Sequence, residues 1–185
     1  MPCASQSIGY ILIAVNPGRV LISLNTTPLS VKKKSTLESP LPSSAIRTTN
    51  DCTMSNAERA VYANESGAEI FVRIHANSSN DPSVNGAMFY APSSANSYLS
   101  ADVISASNTL ASTMLSFYCS TTGLANKGVL QDDNMTGINW CTIPVTIVEM
   151  GFMSNPEEDQ KMANPEFQAV IAQGLANGID AYFGR

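Results

Sequence analysis

Two strand-forming runs most constrain what this chain can fold into: Glu69-Ile-Phe-Val-Arg-Ile-His75 and Ile143-Pro-Val-Thr-Ile-Val-Glu-Met150. The first alternates, with Ile70, Val72 and Ile74 on one face and Phe71, Arg73 and His75 on the other, the period of a strand. The second is rich in β-branched residues and begins beside Pro144. Between them lie a short strand-like run, Ala87–Ala91, and a long helical pattern over residues 97–118. In that pattern Leu99, Val103, Leu110, Met114 and Tyr118 fall near helical spacing. Strands that alternate with helices predict an α/β fold, a layered domain with a mostly parallel central sheet flanked by helices.

The flanking signals agree. Ser55-Asn-Ala-Glu58 is a capping box, and Gly67 is a fitting stop for the helix that follows it. Asn155-Pro156 and Asn164-Pro165 each pair a capping Asn with Pro at the first helical position. The second opens a terminal helix whose Phe167, Val170, Ile171, Leu175, Ile179 and Tyr182 form one stripe. Upstream, the apolar run Tyr10–Val15 ends in Asn16-Pro17-Gly18 and reads as a strand buried on both faces, as in a parallel sheet. From Val20 to Ala45 no periodicity survives, and Pro28, Pro40 and Pro42 interrupt it. No repeat or linker is visible, so residues 1–185 are expected to form a single domain, with residues 1–46 atypical.

Composition narrows the function classes. The formal net charge is -5 and the only basic run is Lys32-Lys33-Lys34, which argues against nucleic acid as a partner. Charged residues make up 14% of the chain, with Ser, Thr, Asn and Ala taking their place, a composition common outside the cytoplasm. The run Ile8–Val15 is too short to span a membrane, and it lacks the flanks of a signal peptide. Cys3, Cys52, Cys119 and Cys141 show no metal-ligand spacing and are expected to be free thiols, with one or two disulfides as the alternative. There is no GxSxG elbow, no phosphate cradle and no local Cys-His signature.

In open α/β sheets ligands bind beyond the carboxyl ends of the strands. His75 ends one strand and is followed by the polar loop Ala76-Asn77-Ser78-Ser79; Glu149 lies near the end of another and is followed by Met150-Gly151. A carboxylate inside an apolar strand is costly to bury without a partner. Each residue alone could be a satisfied structural group; together at neighbouring strand ends they are candidates for a metal-and-base pair.

These segments also carry a resemblance. Arg47-Thr-Thr-Asn-Asp51, then Glu58-Arg59-Ala60 with Ala63-Asn64, then the strand ending in Arg73-Ile-His75-Ala76-Asn77, resembles the middle of the zinc-dependent N-acetylmuramoyl-L-alanine amidases, whose corresponding strand ends in SIHAN. Pro144-Val-Thr-Ile-Val-Glu149-Met-Gly151-Phe-Met-Ser-Asn155 resembles the strand and turn that carry their catalytic glutamate, PxVLVExGFxSN. The likeness covers about residues 47–185. It implies a peptidoglycan hydrolase cutting the amide between N-acetylmuramic acid and the L-alanine of the stem peptide, with a water activated by Zn2+. Carried over by position, His75 is a zinc ligand and Glu149 is the catalytic carboxylate that moves the proton. Peptidoglycan is the expected partner, the protein is expected to act as a monomer, and its place is the cell wall or the extracellular space.

The N-terminal third departs from that pattern. The family binds zinc through two histidines and a glutamate, the first histidine in a DPGHGG-like turn. Here Asn16-Pro17-Gly18-Arg19 stands in that place, and an arginine cannot ligate zinc. Glu38, the only acid before Asp51, resembles the end of the first helix rather than the missing ligand. Three explanations stay open: an inactive relative that keeps the wall-binding groove, a scrambled or frameshifted N-terminal third, or an unusual site completed by Asp132 or Asp133. Arg73 stands where the family usually has a small residue; a structural ion pair is its expected role, and contact with an acidic substrate group the alternative.

Overall fold

The structure, a computed structural model, describes residues 54–185, and upstream of them the backbone of two strands, β1 (Leu12–Val15) and β2 (Ser43–Ala45). The expectations for Asn16, Arg19, Glu38, Arg47–Asp51, Cys3 and Cys52 lie outside the described residues. The elements that follow are α1 (Asn56–Glu65), β3 (Ile70–Asn77), β4 (Ala87–Ala91), α2 (Ala101–Thr122), β5 (Asn126–Gln131), α3 (Thr136–Asn139), β6 (Val145–Phe152), α4 (Pro156–Ala163) and α5 (Pro165–Tyr182). The strands make one sheet in the order β2-β1-β3-β6-β4-β5.

The α/β expectation holds. Among β3 to β6, the pairs β3–β6 and β4–β5 are parallel and β4–β6 is antiparallel. On the far side of β3, β1 and β2 add antiparallel pairings. That direction differs from the parallel reading of the first apolar run. Burial on both faces dictates hydrophobicity, and hydrophobicity does not tell a strand which way to run.

The local devices work as their chemistry predicts. Ser55 Oγ accepts the Glu58 N–H at 3.2 Å while Glu58 Oε2 accepts the Ser55 N–H at 2.7 Å, the complete capping box. Asn155 and Asn164 cap α4 and α5, each with Pro in the first turn. The long helix α2 starts at 101 rather than 97 and ends at 122 rather than 118. The start is delayed because Asn96 Oδ1 accepts the N–H groups of Tyr98 and Leu99, at 2.9 and 3.2 Å, and holds them in a turn. Ser100 then caps the helix and Gly123, at φ 72°, ends it.

The sheet separates two cores. On one face Ile70, Val72, Ile74, Phe89, Val148 and Met150 pack against Leu110, Met114 and Tyr118 of α2 and Ile171, Leu175 and Ile179 of α5. On the other, Phe71, Val145 and Ile147 pack against Ala60 and Ala63 of α1 and against Ile138 and Cys141 in and beside α3. Along this second face β3 reads Phe71, Arg73, His75 and β6 reads Val145, Ile147, Glu149. It turns from apolar to polar toward the carboxyl ends of both strands, and the candidate site is there.

Candidate functional site

Parallel pairing of β3 with β6 puts His75 opposite Glu149. Across the antiparallel neighbour, Met88 of β4 stands opposite Glu149 and Tyr90 opposite Ile147. His75 Nδ1 lies 3.8 Å from Glu149 Oε1, their side chains 27% and 13% exposed. That separation is longer than a hydrogen bond. Burial, with the Arg73 and Arg59 charges behind it, drives the His75 pKa down to about 4. Burial raises that of Glu149 to about 7, against the pull of Arg73. With the imidazole neutral at pH 7, the contact is not an ion pair. Glu149 Oε2 is buried and has no hydrogen-bond partner.

Just past this pair the strands fall out of step: His75 faces Glu149 but Asn77 faces Phe152. β6 therefore advances three residues while β3 advances two, a bulge of the kind that re-aims side chains beside functional sites. The turn beyond is held from both sides. Met153 N–H donates to the Asn77 carbonyl at 2.8 Å, and Ser79 N–H to Ser154 Oγ at 2.9 Å. Glu158, only 5% exposed, accepts the Gly86 N–H at 2.7 Å on Oε1 and the Phe152 N–H at 2.8 Å on Oε2. One carboxylate of α4 thus joins the start of β4 to the end of β6.

Arg73 lies on the same face, two residues before His75, and is 2% exposed. One Nη donates to Asn56 Oδ1 at 2.7 Å, and Nε has no partner. The expected ion pair is not found: among the described residues no carboxylate lies within salt-bridge distance of Arg73. Its place is made by Gly137, where any β-carbon would strike the guanidinium. Burial lowers the pKa of Arg73, yet a guanidinium remains charged. Asn56, Gly137 and Glu158 were not singled out in the sequence. The capping box announces the helix but not what its first residue holds, and Gly137 sits in a stretch with no periodicity.

Asp132 and Asp133 do not complete the site. They follow β5 at the end of the sheet where β6 begins, away from Glu149. Asp133 is engaged by the Ser93 N–H at 2.9 Å, by the Ser93 hydroxyl and by the Asn96 amide at 2.9 Å. Nor do the residues present fit a zinc bound by two histidines and a glutamate. The whole sequence has a single histidine, and among the described residues no group of three or more His, Cys, Asp or Glu could hold a metal ion. Cys119 and Cys141 are free thiols, the latter donating to the Gly137 carbonyl at 3.3 Å. Among the described residues no helix is long and apolar enough to cross a membrane.

Comparison with known proteins bears on the fold and the family. The uncharacterized protein YqiI of Bacillus subtilis is 29% identical over 127 residues, which is 68% of this chain and 57% of that one. The chain therefore spans little more than half of that relative's length. The catalytic domain of CwlV, an N-acetylmuramoyl-L-alanine amidase from Bacillus (Paenibacillus) polymyxa var. colistinus, superposes with a TM-score of 0.63 at 31% identity, covering 72% of this chain and 68% of that one. An N-acetylmuramoyl-L-alanine amidase from Clostridium difficile 630 gives a TM-score of 0.66 at 28% identity, covering 74% and 69%. The profile of the family described as N-acetylmuramoyl-L-alanine amidase (Amidase_3) matches residues 34–181. With four-fifths of its length matched by the family profile, the chain belongs to the N-acetylmuramoyl-L-alanine amidase family.

Proposed function

We propose that this chain acts on peptidoglycan, at the amide joining the lactyl group of N-acetylmuramic acid to the L-alanine of the stem peptide. One observation carries the reading: His75 and Glu149 meet at the carboxyl ends of β3 and β6, where Glu149 keeps a buried oxygen with no hydrogen-bond partner. On this reading that carboxyl takes a proton from an attacking water and returns it to the leaving amine. In the family, zinc would polarise the carbonyl and activate that water. Here the ligand set falls short, so what the chain itself brings to the amide is the proton transfer of Glu149 and the imidazole of His75. Residues 1–185 form one catalytic-type domain on this reading, working as a monomer at the wall or outside the cell.

A second reading, a relative that binds peptidoglycan without cutting it, is favoured by the single histidine and by Arg73 beside it. Lysis of purified cell walls by the full chain and by Glu149→Ala separates the two. A working hydrolase loses roughly a hundredfold or more of its rate in the variant. Absence of lysis by both proteins, with retention on sedimented walls, selects the binding relative. Absence of lysis and of wall retention defeats both.

A further inference from the structure

The described residues place a fixed positive charge where the amidase pattern has a small side chain. Arg73 and His75 share one face of β3, their Cα atoms about 6.6 Å apart at the rise of a strand. Arg73 is 2% exposed, its Nε has no partner, and its bond at 2.7 Å goes to the neutral amide of Asn56. Buried arginines usually come with a carboxylate that offsets the cost of taking the charge out of water. None pairs with this one among the described residues. Gly137 leaves the space the guanidinium fills, so the charge is accommodated by packing, and Glu149 attracts it without pairing with it. At His75 the field of Arg59 adds to it with the same sign. Away from bulk water such fields are weakly screened.

We propose that Arg73 is the resident cation of this site and keeps a divalent metal off His75, so that the amidase site of this chain meets its peptidoglycan ligand without zinc. The proposal rests on the reading of the His75–Glu149 region as an amidase site. It assigns the loss of zinc not only to missing ligands but to a charge that would oppose the metal even where a ligand remains.

The test is a titration of the full chain with Zn2+, by chelator competition, and with Co2+, whose visible absorption reports ligation by His75. The intact protein is expected to retain almost no zinc after dialysis. Arg73→Met removes the charge at similar volume; Asn56→Asp leaves Arg73 in place but gives it a carboxylate. Each is expected to tighten metal binding at least about tenfold, as removal of a nearby weakly screened charge should. Arg73→Lys, which keeps the charge, is expected to behave as the intact protein does, and His75→Ala to erase every gain together with the cobalt spectrum. Near one zinc per chain held through His75 in the intact protein overturns the proposal. So does the absence of any gain in Asn56→Asp, a surface change that holds should Arg73→Met fail to fold. Sedimentation of the same samples with purified peptidoglycan tests the amidase-site reading itself. Loss of wall binding throughout refutes the amidase-site reading whatever the metal does.

Discussion

At the scale of residues, Arg73, Gly137 and Asn56 act as one unit. A β-carbon at position 137 has nowhere to go unless the buried guanidinium moves, so Gly137→Ala is expected to cost about 1–3 kcal/mol. Arg73→Ser should empty that space, making the double variant Arg73→Ser/Gly137→Ala less destabilised than the two single effects added together. Urea unfolding of the four proteins measures the coupling; strict additivity would show that the guanidinium does not fill that space. Asn56→Asp, at the first position of α1, is expected to stabilise by about 0.5–1 kcal/mol by serving both Arg73 and the positive end of the helix. His75 and Glu149 were legible in the sequence because ionisable groups at the ends of apolar strands stand out. The burial of Arg73 was not, since alternation assigns a face but cannot say how deeply a neighbouring helix covers it.

At the scale of elements, the turn after β6 depends on a side chain from the next helix. Glu158 accepts two backbone N–H groups, from Gly86 and Phe152. In Glu158→Gln one of them faces an amide NH2, and a buried donor left without a partner costs about 1–3 kcal/mol. The expected result is a lower urea midpoint, with faster amide exchange at Gly86 and Phe152 than elsewhere in the sheet. Uniform exchange across the sheet would deny Glu158 a local role. Elements announced by chemistry at their ends were the readable ones: the Ser55–Glu58 box, Asn155-Pro156 and Asn164-Pro165. β5 was missed because Asn126-Lys-Gly-Val-Leu-Gln131 is half-buried at most. An edge strand held by its pairing with β4 needs no hydrophobic alternation. α2 was found but placed too early, because Asn96 diverts the backbone just where the apolar spacing suggests a helix could begin.

At the scale of the whole molecule, among the described residues, α2 and α5 cover one face of the sheet, and α1, α3 and the site lie on the other. Gly178 lets those helices close: a β-carbon there would lie 2.7 Å from the Met114 Cα, whereas at Gly174 the nearest atoms are at 3.3 Å. Backbone cannot yield as a side chain can, so Gly178→Ala is expected to lower the thermal midpoint clearly more than Gly174→Ala, by a difference of about 1–3 kcal/mol in stability. Equal effects would mean that the helices separate freely. By itself the sequence determined the α/β alternation, the capped helix starts, and the two strands that carry His75 and Glu149, because each is written in local spacing and in the chemistry of a few adjacent residues. Only the tertiary structure decided that these strands are parallel neighbours in register, that Glu158 reaches back to fix their turn, and that Arg73 lies buried without a carboxylate beside the one histidine. Those facts depend on residues far apart in the chain, and no local pattern encodes which of them will meet.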